Sequence, residues 1–227
     1  MLPALKSYFP GIVSYTQFLS YLPRLLPELM CLMSMQCMKS EKSGIYYIDS
    51  KPLEVCHIKR EHSNKVFDGY ARKGKSSTGW FLGLKLHMLI NHKGEIMRYM
   101  FTSANVADNN EEVLKYMLEG MKGTCYGDKG YITKLFEYFY NNGLHLFKKS
   151  KKNMKQLLCS LKDAVYIRKR GIIESLFDII TSVLDIEHTR HRKADNAFAH
   201  ILAGLIAYCF LDKKPSLKQD FRLLQTF

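Results

Sequence analysis

A chain of 227 residues, 47% of them hydrophobic, can bury one full core with a small appendage but not two large domains. Its 34 Lys and Arg against 21 Asp and Glu leave a formal charge of +13, which points to a polyanionic partner, nucleic acid first, through counterion release. The six cysteines form no C-x-x-C pair, so neither a zinc site nor a disulfide framework is suggested and a reducing cytoplasm fits. No run reaches the roughly 20 apolar residues of a membrane span, and the N-terminus lacks the pattern of an export signal.

Residues 1–40 are rich in Leu, Met and Tyr and carry Pro3, Pro10, Pro23 and Pro27, which reads as short helices broken by turns, packed as an appendage. From Gly44 the texture changes. Ile45 to Ile48 is a β-branched and aromatic run expected to form a buried strand, with Asp49 at its tip and Ser50 and Pro52 forcing an exit. Lys51 to Lys75 follows as a basic loop. In Trp80 to Ile90 every even position is apolar, the pattern of a long strand with one core face, on which Trp80 is expected to be buried and His87 to lie opposite. Asn91 to Gly94 supplies turn chemistry, and Glu95 to Thr102 completes an antiparallel hairpin.

Asp108 reads as the N-cap of a helix whose apolar stripe runs from Val113 to Met121. Thr124 to Gly127 is a second short strand leading into Asp128, followed by an amphipathic helix to Gly143 and a last strand, Leu144 to Phe147. After a basic connector, Ile172 to Leu184 forms a strongly striped helix with Glu174 and Asp178 on its polar side. A final apolar helix, about Asn196 to Leu211, has Asp195 as its expected cap. The order predicts an α/β mixed sheet flanked by helices, in three parts: a helical N-terminal segment 1–40, a catalytic domain 41–211 and a C-terminal tail 212–227.

In open α/β sheets functional groups gather beyond the carboxyl ends of strands, where Asp49 and Asp128 both stand. Glu174, on the polar side of its helix, can lean over the same edge. Two aspartates and a glutamate make a hard oxygen cage suited to Mg²⁺, with Mn²⁺ as substitute. A pair of such ions suits phosphodiester chemistry, because one activates the attacking oxygen while the other neutralises charge on the leaving oxygen. Alternatives stand beside this reading. An Asp at a strand end is commonly a turn residue, Glu174 is spaced for a surface ion pair with Arg170, and Glu137 and Glu187 are rivals for its place.

The motifs Tyr47-Ile48-Asp49-Ser50-Lys51-Pro52, Gly79-Trp80-Phe81-Leu82-Gly83-Leu84-Lys85-Leu86-His87 and Gly127-Asp128-Lys129-Gly130-Tyr131-Ile132 resemble the DDE transposases of bacterial insertion sequences, above all the insertion sequence 982 family. Lys151 to Lys155, Lys169 to Asp178 and Ile186 to Arg192 extend the similarity, which covers roughly residues 8 to 215. The resemblance implies a ribonuclease-H-like fold, Mg²⁺ dependence and catalytic, metal-holding roles for Asp49, Asp128 and Glu174. It departs at two points. Family members usually begin well upstream of the segment resembling Met1, so the chain is expected to be shortened at its N-terminus. Arg170 and Glu174 keep the spacing of a related signature, but Ile167 and Thr181 stand where its Tyr and Lys would be.

Between Lys148 and Lys193 twelve Lys and Arg face five Asp and Glu, so more than half of the surplus charge flanks Glu174. Lys148, Lys149, Lys151, Lys152, Lys155, Arg168, Lys169, Arg170, Arg190 and Arg192 are the expected contacts to DNA phosphates. A metal site from His188 and His191 has the spacing but no third ligand. The expected function is cleavage and strand transfer of double-stranded DNA at insertion-element ends. It would be performed by at least a dimer in the cytoplasm, associated with the nucleoid. A shortened, inactive DNA-binding remnant and a plain metal-dependent nuclease are the alternatives.

Overall fold

The computed structural model describes residues 7–76, 79–128, 131, 134–148, 160–187 and 191–217. Six strands form one sheet: β1 (Ile45–Cys56), β2 (Arg72–Ser76), β3 (Gly79–Asn91), β4 (Ile96–Ser103), β5 (Gly123–Gly127) and β6 (Leu144–Lys148). The helices are α1 (Tyr15–Tyr21), α2 (Leu26–Lys39), α3 (Glu111–Leu118), α4 (Phe136–Asn141), α5 (Leu161–Arg168), α6 (Gly171–Asp178) and α7 (Ala194–Cys209). Strand order is β2-β3-β1-β5-β6, with β4 joined to the same edge of β3 as β2. With β2 set aside, an antiparallel meander β4-β3-β1 continues into parallel β5 and β6. This is the ribonuclease-H-like mixed sheet that the resemblance implies.

The centre of the sheet is buried on both faces. The even-numbered residues Leu82 to Ile90 of β3 pack with Tyr47 and Leu53 of β1 against α6, α7 and Met33 of α2. Tyr46, Ile48 and Leu89 face the other way, toward α3 and Phe139 of α4. Alternation along each strand therefore places Tyr47, Asp49 and Lys51 on the α6–α7 side.

Several sequence expectations change. Strand β1 does not stop at Asp49 but runs to Cys56, because β3 is long enough to pair with it throughout, from Tyr46–Asn91 to Cys56–Leu82. Pro52 is tolerated because β5 pairs with β1 only as far as Tyr47–Tyr126, which leaves β1 an open edge beyond that point. Strand β2 lies inside the expected basic loop. Pro23 and Pro27 sit at the starts of a 3₁₀ turn and of α2, where a missing N–H costs nothing, rather than breaking a helix. Asn110 caps α3 in place of Asp108, accepting from the Glu112 and Val113 amides at 3.0 and 3.2 Å. Helix α7 starts at Ala194, so Asp195 lies in its first turn rather than at its cap. The striped helix is split into α6 and a π-helical turn, Ile179–Val183. Among the described residues, no helix is long and apolar enough to cross a membrane.

Candidate active site

Parallel pairing of β1 with β5 matches Tyr47 with Tyr126; Asp49 stands two residues further along β1, and Asp128 two residues further in the chain, immediately after β5 ends. Asp49 therefore faces α6 and α7 from the middle of β1, beyond the last β1–β5 pair, with Asp128 at the carboxyl end of the neighbouring β5. Gly127 lets the chain turn here, since a Cβ would meet Ile48 Cγ2 and the Tyr131 ring at 3.2 Å. The Tyr131 amide donates to the Asp128 carbonyl at 3.1 Å. Asp128 is exposed.

Helix α6 brings the third acid. Ile172, Ile173, Leu176 and Phe177 bury one side of the helix in the core and leave Glu174 on the outer side. The preceding helix is locked to the sheet by tyrosines. The Tyr47 hydroxyl donates to the Tyr166 carbonyl at 3.2 Å, the Tyr126 hydroxyl donates to Asp163 at 2.8 Å, and the rings of Tyr47 and Tyr166 both lie within 5.7 Å of that of Tyr126. Arg170, between α5 and α6, is thereby aimed over β1.

One guanidinium nitrogen of Arg170 donates to Asp49 at 2.6 Å and another donates to Glu174 at 2.8 Å. The side chains of Asp49 and Arg170 are each 20% exposed, that of Glu174 59%. Burial raises the pKa of Asp49 above its ordinary value; Arg170 and the Ser50 amide oppose the rise, and the negative charge of Asp128 adds to it. Two of the three expected acids thus share one cation, while the third is close enough to repel. Among the described residues, no three His, Cys, Asp or Glu side chains meet as a ready-made metal cage. The donor set nevertheless fits a hard divalent cation. Its oxygens are carboxylate, and two of them already converge on a positive charge lodged between them.

Sequence reasoning missed a supporting layer. The Ser50 hydroxyl donates to Asp108 at 2.7 Å, and Lys85 Nζ donates to Asp108 at 3.1 Å and to the Val106 carbonyl at 2.8 Å. Asp108 and Lys85 so brace β1 from the opposite face. Tyr131 is buried against the same edge. Burial first, then the charges of Asp49 and Asp108, keeps its phenol protonated. The Asp-x-x-Tyr spacing after β5 was the available signal for Tyr131, whereas nothing local marks Asp108. His87 is fully buried, its Nε2 2.9 Å from Thr102 Oγ1, and burial pushes its pKa down to about 4, so it is a neutral sheet residue.

Of the expected DNA contacts, Arg168, Lys169 and Arg192 are exposed and Arg170 is turned onto the acids. For Lys148 only the backbone is described, as the last residue of β6. Lys149, Lys151, Lys152, Lys155 and Arg190, with His188, lie outside the described residues. Neither rival of Glu174 joins the acids. Glu187 pairs with Lys51 at 3.8 Å, and Glu137 lies on α4.

The chain belongs to the transposase DDE domain family, whose model matches residues 39–194. Among solved structures it is similar to the catalytic domain of Mos1 mariner transposase, at 11% identity and a TM-score of 0.29, over 88% of this chain and 94% of that one. Among curated proteins, none matches the chain.

Proposed function

We infer that this transposase cuts and rejoins DNA phosphodiester bonds at the ends of an insertion element of the 982 kind, with Asp49, Asp128 and Glu174 as its catalytic carboxylates. The observation that carries the reading is the sharing of Arg170 by Asp49 and Glu174 beside the parallel strand end that bears Asp128. The motif resemblance and the matched family support it.

The three carboxylates would hold Mg²⁺ or Mn²⁺, which when bound supplies activation of the attacking oxygen and neutralises charge on the leaving oxygen. The chain itself contributes position and charge. Asp49 and Asp128 ride on paired strands, and Glu174 is carried by α6. Arg168, Lys169, Arg192 and the lysines of 148–155 neutralise the DNA backbone around the scissile phosphate. Residues 41–211 form the catalytic unit, with 1–40 as a helical segment packed upon it and 212–227 as a tail. Joining two element ends calls for at least a dimer on DNA, in the cytoplasm at the nucleoid.

Incubating the purified protein with labelled element ends and Mg²⁺ or Mn²⁺ tests the reading. Cleavage with joining supports it. Cleavage alone makes the protein a nuclease, and binding alone a DNA-binding remnant.

A further inference from the structure

Trp80, expected in the core, is 57% exposed. The alternation that buries Leu82 to Ile90 continues to Trp80, but the indole lies beyond the core cluster that covers those residues. Two lysines cover the indole instead, Lys73 Nζ at 5.6 Å and Lys75 Nζ at 5.8 Å from the ring centroid. The β2–β3 register explains this. Lys75 pairs with Trp80 and Lys73 with Leu82, so all four side chains share one face of a two-stranded ribbon.

That face is also the face of Asp49, which pairs with Met88 further along β3. From Met88 to Trp80 the strand advances eight residues, about 26 Å at the usual rise per residue. The same length of duplex is about eight base pairs. Between residues 57 and 76 the exposed cations Lys59, Arg60, Lys65, Arg72, Lys73 and Lys75 outnumber the acids Glu61 and Asp68, with Glu61 only 3.4 Å from Lys73. A cationic ribbon with an exposed aromatic side chain flanked by lysines suits a groove of nucleic acid, where lysines neutralise phosphates and the indole packs between them.

We propose that the β2–β3 ribbon is a second DNA contact, in which Trp80, Lys73 and Lys75 grip the duplex about eight base pairs from the bond held at Asp49. It rests on the DNA-cutting reading above but engages a surface that reading does not use.

Trp80 is the only tryptophan, so its emission reports on this surface alone. A fluorescently labelled 40-base-pair duplex is titrated with the protein, without divalent metal, while label anisotropy and tryptophan emission are both followed. The expected result is an emission change that saturates with the anisotropy, together with protection of the indole from acrylamide. In the Lys73→Gln/Lys75→Gln double variant, checked for folding by circular dichroism, the slope of log affinity against log salt should fall by about two. Normal anisotropy binding with unchanged emission and unchanged acrylamide quenching overturns the proposal, as does a double variant that keeps the full slope. Absence of any duplex binding removes the DNA-cutting reading itself, and the proposal with it.

Discussion

Arg170 lies 2.6 Å from Asp49 and opposes the burial that raises the pKa of this carboxyl. The same guanidinium reaches Glu174, so one side chain stands between two of the carboxylates proposed to hold a divalent cation. On the proposed reading, Arg170 would both stabilise the metal-free acids and compete with a metal for them.

Arg170→Gln should therefore separate two quantities that a purely structural ion pair would lose together. Metal-free stability should drop by about 1–3 kcal/mol, the cost of removing a charged hydrogen-bond partner from a partly buried acid. Affinity for Mn²⁺ should rise, because no guanidinium has to be displaced. Thermal unfolding with and without Mn²⁺ checks both, and a smaller Mn²⁺-induced rise in Tm than in the parent chain would contradict the competition.

The three acids should behave alike. Asp49→Asn, Asp128→Asn and Glu174→Gln should each reduce cleavage of a labelled duplex by about a hundredfold or more while salt-sensitive binding persists. Retained turnover in any one variant would remove that residue from the site.

Acidification should weaken metal binding earlier than an ordinary carboxylate would. Burial raises the pKa of Asp49 above its usual 3.8, so a proton competes with the metal at higher pH. The stability linkage has the opposite sense. With the folded pKa raised, ionisation of Asp49 opposes folding, and its contribution to metal-free stability improves as pH falls through the folded value. Calorimetric titration of Mn²⁺ across the acid range should show affinity falling with pH, and flatter behaviour in Asp49→Asn.

Gly83 tests the frame. A Cβ there would lie 2.1 Å from the Leu53 carbonyl oxygen, a backbone atom that cannot swing away without breaking the β1–β3 ladder. Gly83→Ala should cost about 1–3 kcal/mol or more, read as a lowered Tm. A neutral outcome would mean that the two strands sit further apart at this point.

Long-period signals made much of the sheet legible. The alternation of β3 and the stripes of α3 and α6 each bury a face large enough to dominate local preference. Strand β2 was hidden because Arg72-Lys73-Gly74-Lys75-Ser76 has almost no strand propensity and owes its form to the ladder with β3. Helix α5 was missed for a related reason. It buries little beyond Tyr166, so no stripe marks it. Among the acids, the nearness of Asp49 to Asp128 could be anticipated from two short apolar runs each followed by an aspartate, although β1 runs on past Asp49. The bridging role of Arg170 could not, since an Arg four residues before a Glu on a helix looks like any surface pair. Asp108 offered an acceptable cap, and only the fold reveals that Ser50 and Lys85 claim it instead.

Asp49 and Asp128 follow the last pair of one parallel ladder by two residues each, while Glu174 hangs from α6, a helix seated by its apolar side and preceded by one that phenolic bonds tie to the sheet. Such a tripod has two fixed legs and one that can be trimmed. If the three acids act together as proposed, small changes in the seat of α6 would adjust the gap between Glu174 and the aspartates without disturbing the sheet.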